Sequence, residues 1–144
     1  MLGSMVYKYF SSKFFNIITI DTRWPSDKFK QDILDFSKSP NSICIINCIG
    51  SIHQKNNDFD VNLDLPVWLD ENLKINKNNC MVVHPGTDCE IDDDDYGNSK
   101  RKAAEYLLEQ GQMTKIIKTS IIGPELNSKA SLLEWFLNSE GEVS

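Results

Sequence analysis

Apolar residues along this chain gather into four short runs: 16–20 (NIITI), 43–49 (ICIINCI), 80–83 (CMVV) and 116–122 (IIKTSII). They are rich in Ile and Val and mostly unalternating, the pattern of strands buried on both faces in a parallel sheet. Stretches of helical spacing separate them. Residues 4–13 place Met5, Val6, Tyr9 and Phe10 on one face, with Ser4 as N-cap. Residues 26–37 follow Pro25, start from a candidate cap at Ser26 and carry Phe29, Ile33, Leu34 and Phe36. Residues 58–73 hold Val61, Leu65, Trp68 and Leu69, and Pro66 inside them predicts a kink or break. Residues 96–110 present Ala103, Ala104, Leu107 and Leu108 and end near Gly111. Residues 131–138 present Leu132, Leu133, Trp135 and Phe136. The predicted order α-β-α-β-α-β-α-β-α gives an α/β fold with right-handed crossovers. The chain opens on a helix, whereas a doubly wound domain starts with the strand leading into its phosphate-binding loop.

Composition narrows the partners. With 144 residues the chain is long enough for one domain with a core of its own. A net charge of -6 speaks against nonspecific nucleic-acid binding, which needs a basic face. No run approaches the roughly 18 apolar residues of a membrane span, and residues 1–15 lack the apolar core and cleavage site of a secretory signal. The four cysteines, Cys44, Cys48, Cys80 and Cys89, form no C-x-x-C pair. A reduced, cytoplasmic setting with the first three acting as small hydrophobes fits them. His53 and His84 lack the paired spacing of a zinc site, so no metal is expected.

The candidate chemistry lies at the strand ends. Tyr96 and Lys100 sit four residues apart at the start of a predicted helix, hence on one face, with Cβ atoms about 5–6 Å apart. An ammonium there favours the phenolate and lets the tyrosine exchange a proton with a carbonyl or alcohol oxygen near neutral pH. Y-x-x-x-K is a common pattern by chance, so its neighbours decide its weight. Asp21-Thr22-Arg23 follows the first run, 18 positions after Gly3. An acidic residue there suits a ribose hydroxyl and an Arg a 2′-phosphate; an ordinary polar strand end is the competing reading. Asn47 and Gly50 follow the second run, where glycine permits close approach of a ligand or simply makes a turn. Thr87, after the third, offers a hydroxyl to a substrate oxygen or to a local turn. The acidic run 90–95 lacks the Gly and final Glu of a calcium loop and is expected to be a solvated loop whose carboxylates favour the following helix N-terminus.

In series, NCIG, GTDC, YGNSK, KTSIIGPEL and SLLEWFL resemble the extended short-chain dehydrogenase/reductase family, and within it the dTDP-4-dehydrorhamnose reductase branch. The resemblance covers nearly the whole chain. It implies a Rossmann-like parallel sheet flanked by helices, NAD or NADP as cofactor and a nucleotide sugar as substrate. Thr87, Tyr96 and Lys100 take the catalytic places: Thr87 steadies the substrate oxygen, Tyr96 gives the proton to a keto sugar, and Lys100 tunes Tyr96 and holds the nicotinamide ribose. Gly3, Asp21, Arg23, Asn47 and Gly50 fall at cofactor positions. Asn62 matches a supporting Asn, and Lys118 stands where the family has an arginine. Against the pattern, the first strand and most of the Gly-rich loop would precede Met1, with only the last glycine matched by Gly3. Only eight residues separate Thr87 from Tyr96, Cys89-Glu90-Ile91 replaces the usual Val-Phe, and most of the substrate lobe would follow Ser144. The expectation is a truncated NAD(P)-binding domain.

Two functional readings follow: NAD(P)H-dependent reduction of a 4-keto nucleotide sugar (or epimerisation), and a noncatalytic module that binds or self-associates through an exposed sheet edge. NAD and NADP remain equal alternatives, because Asp21 and Arg23 pull in opposite directions.

Overall fold

A computed structural model describes residues 2–13, 16–51, 58–91 and 93–118, leaving aside the side chains of Asp88 and Cys89. Two compact units divide the chain. The first contains helix α1 (Leu2–Ser11), and the second runs Ile18–Thr119. In the second unit the order is α2 (Asp27–Ser37), β1 (Ile43–Ile46), α3 (Val61–Leu73), β2 (Cys80–Gly86), α4 (Asp95–Glu109) and β3 (Thr114–Lys118). Short 3-10 turns lie at Lys74–Asn76 and Asp88–Ile91. The strands form one parallel sheet in the order β1-β2-β3, with Ile43 opposite Cys80 and Val82 opposite Thr114. The α/β class expected from the sequence is therefore present. The predicted helix 131–138, the turn 120–125 and His53 lie outside the described residues.

Each element begins where local chemistry allows it. Ser26 accepts the Phe29 amide at 3.2 Å and starts α2. Asp94 accepts the Gly97 amide at 2.6 Å and starts α4. The acidic run thus does support the helix N-terminus, as expected. Helix α3 runs unbroken through Pro66, so of the predicted kink or break there is no break. Pro66 is buried among fully enclosed side chains that include Leu65 and Leu69, and that packing offsets the lost backbone hydrogen bond. The core joins Phe29 and Ile33 of α2, Leu65, Leu69 and Leu73 of α3, and Cys80 and Val82 of β2.

The strands depart from expectation in three instructive places. Residues 16–20 were expected as a strand but have irregular backbone. Ile20 packs against the core while Ile18 is exposed, so the run supplies burial without ladder partners. Strand β1 stops at Ile46 instead of reaching residue 49. Asn47 still donates its backbone N–H to the Val83 carbonyl, but its side chain captures the Ile49 amide at 3.0 Å and turns the chain. Strand β2 instead extends three residues further, through His84, Pro85 and Gly86. In a parallel ladder successive residues face opposite neighbours. Val82 donates toward β3 and Val83 accepts from β1, so Pro85 faces the β1 side just where β1 has turned away. Its missing N–H leaves no gap in the ladder, and its carbonyl accepts from a side chain, Lys100.

Candidate functional site at the carboxyl ends of the strands

The Pro85 carbonyl is the point at which strand and helix meet. Lys100, on the second turn of α4, donates from Nζ to the Pro85 oxygen at 3.2 Å. This contact ties the start of α4 to the carboxyl end of β2, where Thr87 begins the next turn. Thr87, Tyr96 and Lys100 are all half-buried. The Tyr96 ring packs edge-on against Phe59, centroids 5.9 Å apart. The three residues assigned catalytic places by resemblance therefore belong to one strand end and the helix that follows it.

A second layer of hydrogen bonds fixes this geometry. Asn62, in the first turn of α3 and 1% exposed, accepts the Ser51 amide at 2.8 Å and donates to the Ser51 carbonyl at 3.0 Å. It also donates to Ser99 Oγ at 3.2 Å. Ser99 in turn donates to the Tyr96 carbonyl at 2.7 Å. One amide thus connects the turn after β1, the start of α3 and the helical turn carrying Tyr96. Gly50 fits closely beside it, since a Cβ there would lie 3.2 Å from Asn62 Oδ1 and press on that side chain. Asn47 and Gly50, both expected near the cofactor, sit in this same turn. Asn47 is buried.

Electrostatics are unusual for so small a region. His84 is 3% exposed, and Asn47 donates from Nδ2 to its Nδ1 at 3.3 Å, so the imidazole proton resides on Nε2. Burial, with the Lys100 ammonium adding to it, lowers the His84 pKa to about 4, and the ring is neutral at physiological pH. Burial likewise pulls the Lys100 ammonium below the usual lysine range, while the Glu90 carboxylate opposes that shift. Burial pushes the Cys80 thiol up, which keeps it protonated and a poor nucleophile. Cys80 is a small core residue as expected, but Cys44 is exposed and Cys48 half-buried.

Glu90 overturns one expectation. The run 90–95 reads as a solvated loop, and Asp93, Asp94 and Asp95 are exposed, yet Glu90 is 7% exposed. Its Oε2 lies 2.8 Å from the Lys118 ammonium, and its backbone carbonyl accepts from Arg101 Nη1 at 3.2 Å. Burial of a carboxylate requires a cation, and β3 delivers Lys118 at the position opposite Gly86. Glu90 and Lys118 are two departures from the pattern the sequence resembles, and they meet in the fold. A run of like charges hides such a member, because only the tertiary position of Lys118 marks Glu90 as the paired one.

Other predicted positions lie elsewhere. Asp21 and Arg23 are exposed in the segment before α2, where the Arg23 carbonyl accepts from Ser26 Oγ at 2.6 Å and Thr22 donates to Asp32 at 3.3 Å. No hydrogen bond or ion pair joins Asp21 or Arg23 to the Lys100 region among the described residues. Gly3 lies within α1, in the other compact unit. Among the described residues no group of three His, Cys, Asp or Glu side chains could hold a metal ion, and no helix is long and apolar enough to cross a membrane. A buried structural carboxylate also escaped the sequence reading. Asp70 accepts from the amides of Gln112, Met113 and Thr114 and from Thr114 Oγ1, at 2.7–3.2 Å, and pins the entry to β3. Comparison with known protein families, with curated proteins and with solved structures yields no match to this chain.

Proposed function

We propose that the strand-end region of the second unit is the working part of an NAD(P)H-dependent reductase acting on a 4-keto nucleotide sugar, of the dTDP-4-dehydrorhamnose reductase type. The observation carrying this reading is the Lys100 Nζ–Pro85 oxygen contact. It sets the Tyr96–Lys100 face of α4 against the strand end that leads into Thr87. Carboxyl ends of parallel strands are where open α/β sheets bind ligands. In this reading Tyr96 gives its proton to the keto oxygen, Thr87 holds that oxygen, and Lys100 favours the phenolate left behind. NADH or NADPH supplies the hydride, with Asn47 and Gly50 lining its place and Asn62 steadying the catalytic turn. Asp21 and Arg23 enter this reading through the sequence resemblance alone.

Thermal denaturation with each nicotinamide cofactor tests the reading. Cofactor at 100 times its Kd stabilises by about 2.7 kcal/mol, a readily measured rise in Tm. No rise with either NADH or NADPH at millimolar concentration defeats it. Given binding, Tyr96→Phe is expected to lower keto-sugar reduction by about 10²–10⁴-fold.

A second reading, a noncatalytic module that self-associates, draws on the sheet itself. Met81 of β2 and Ile117 of β3 lie on the face turned away from Cys80 and Val82, at 39% and 56% exposure. Sedimentation of the full chain separates the readings: a monomer across the micromolar range removes the second.

A further inference from the structure

Glu90 is the least expected side chain in the region, because its ion-pair partner among the described residues is mostly in solvent while it is not. Lys118 is 60% exposed at its side chain and Glu90 9%. The pairing satisfies only Oε2. The other oxygen, Oε1, is buried without a hydrogen-bond partner, and it points at the end of β2, where a Cβ on Gly86 would approach it to 3.2 Å. Lys100 reaches the adjacent residue, Pro85, with one of its three N–H donors. An unsatisfied carboxylate oxygen and a half-buried ammonium therefore share the last two residues of one strand. Arg101, next to Lys100 on α4, also holds the Glu90 backbone, so the 3-10 turn and the helix are braced together.

We propose that Glu90 is a positioning residue, whose buried carboxylate, shared between Lys118 and Lys100, keeps the Lys100 ammonium charged and seated at the end of β2. Its importance for catalysis rests on the reductase reading above, but the electrostatic relation stands without it. The groups facing Lys100 act in opposite directions. His84 from β2 is neutral and offers no compensation, and Tyr96 lies one turn back on the same helix. Lys118 from β3 and Arg101 from α4 are cations that meet Glu90 itself, at its carboxylate and its backbone carbonyl. Glu90, from the 3-10 turn, is the anion among them. An ammonium withdrawn from water holds its proton less tightly, and a nearby carboxylate opposes that loss. A Lys100 that stays charged is what tuning a neighbouring phenol, or holding a ligand hydroxyl, requires.

The test reads Lys100 directly, with no cofactor or substrate. The full chain, labelled for NMR, is titrated and the Lys100 side-chain midpoint followed in wild type, Glu90→Gln and Lys118→Met. Lys28, on the distant helix α2, serves as control. In Glu90→Gln the Lys100 midpoint is expected to fall by about 0.5–1 pH unit, the effect of losing one nearby opposite charge, while Lys28 stays fixed. In Lys118→Met it is expected to rise, because a cation leaves and the Glu90 charge is no longer shared. A Lys100 midpoint unchanged in folded Glu90→Gln overturns the proposal. Should that variant fail to fold, an unchanged or lower midpoint in Lys118→Met overturns it instead. Failure of NADH and NADPH to bind would defeat the reductase reading and leave these titrations as they are.

Discussion

The Asn62 side-chain amide pairs with the Ser51 peptide as one strand pairs with another, accepting its N–H at 2.8 Å and donating to its C=O at 3.0 Å. Both partners are buried. Asn62→Ala leaves two backbone groups and Ser99 Oγ short of a partner and is expected to cost about 2–4 kcal/mol. Urea unfolding with unchanged slope checks this. Asn62→Asp should be no better than Ala, since a carboxylate faces the Ser51 carbonyl with no donor.

Ser51 itself makes the complementary case. Its Oγ is buried with no partner, although its backbone is doubly bonded. Removing an unsatisfied hydroxyl removes a desolvation penalty. Ser51→Ala is expected to be neutral or to stabilise by about 1 kcal/mol; a clear loss of stability in the same urea assay would contradict the assignment.

Asp70 carries four acceptor roles at once, three of them to consecutive amides. Asp70→Asn exchanges an oxygen for an NH₂ that confronts those N–H groups, so a near-isosteric change is expected to cost about 3 kcal/mol or more. Hydrogen exchange at Met113 and Thr114 should accelerate before exchange at the centre of α3.

His84 sets an acid limit. Its folded pKa, about 4, lies below the ordinary 6.5. Above 6.5 the ring is neutral in both states and the folded state keeps its full stability. Between 6.5 and 4 the unfolded chain takes a proton that the folded chain refuses, so stability declines as pH falls, by at most about 3 kcal/mol. Below 4 both states are protonated and this slope ends. His84→Gln keeps an acceptor for Asn47 and should flatten the dependence in that window.

Gly86 tests the packing around the buried carboxylate. A Cβ there would stand 3.1 Å from both Ile116 Cγ2 and Lys118 Cγ and 3.2 Å from Glu90 Oε1. Gly86→Ala is expected to cost about 1–3 kcal/mol and to move the Lys118–Glu90 pair, visible as altered chemical shifts at Lys118.

Much of this fold was legible from spacing alone. The helices α2, α3 and α4 were expected within a few residues, because the Ser26 cap of α2 and the apolar stripes of all three are local signals. Strand ends were less legible. Asn47 ends β1 early through a side-chain hydrogen bond, and Pro85 is carried inside β2 because its missing N–H faces the side from which β1 has already turned away. The apolar run 16–20 shows that burial and strand pairing are separate properties. Within the candidate site, Tyr96, Lys100 and Thr87 announced themselves by residue type and position. Glu90, Ser51, Ser99 and Asp70 did not, since each owes its role to a partner far along the chain: Lys118, Asn62, Asn62 again, and residues 112–114.

Pro85 also imposes a boundary on the sheet. A strand lying beside β2 on its β1 side can follow it up to the Val83 carbonyl and no further, because the next position offers an acceptor without a donor. The register of β1 is thereby stopped from creeping forward, and the space above it cannot be zipped shut by a longer strand. At that point covalent structure leaves the strand's last carbonyl on this side to a side chain, and Lys100 takes it.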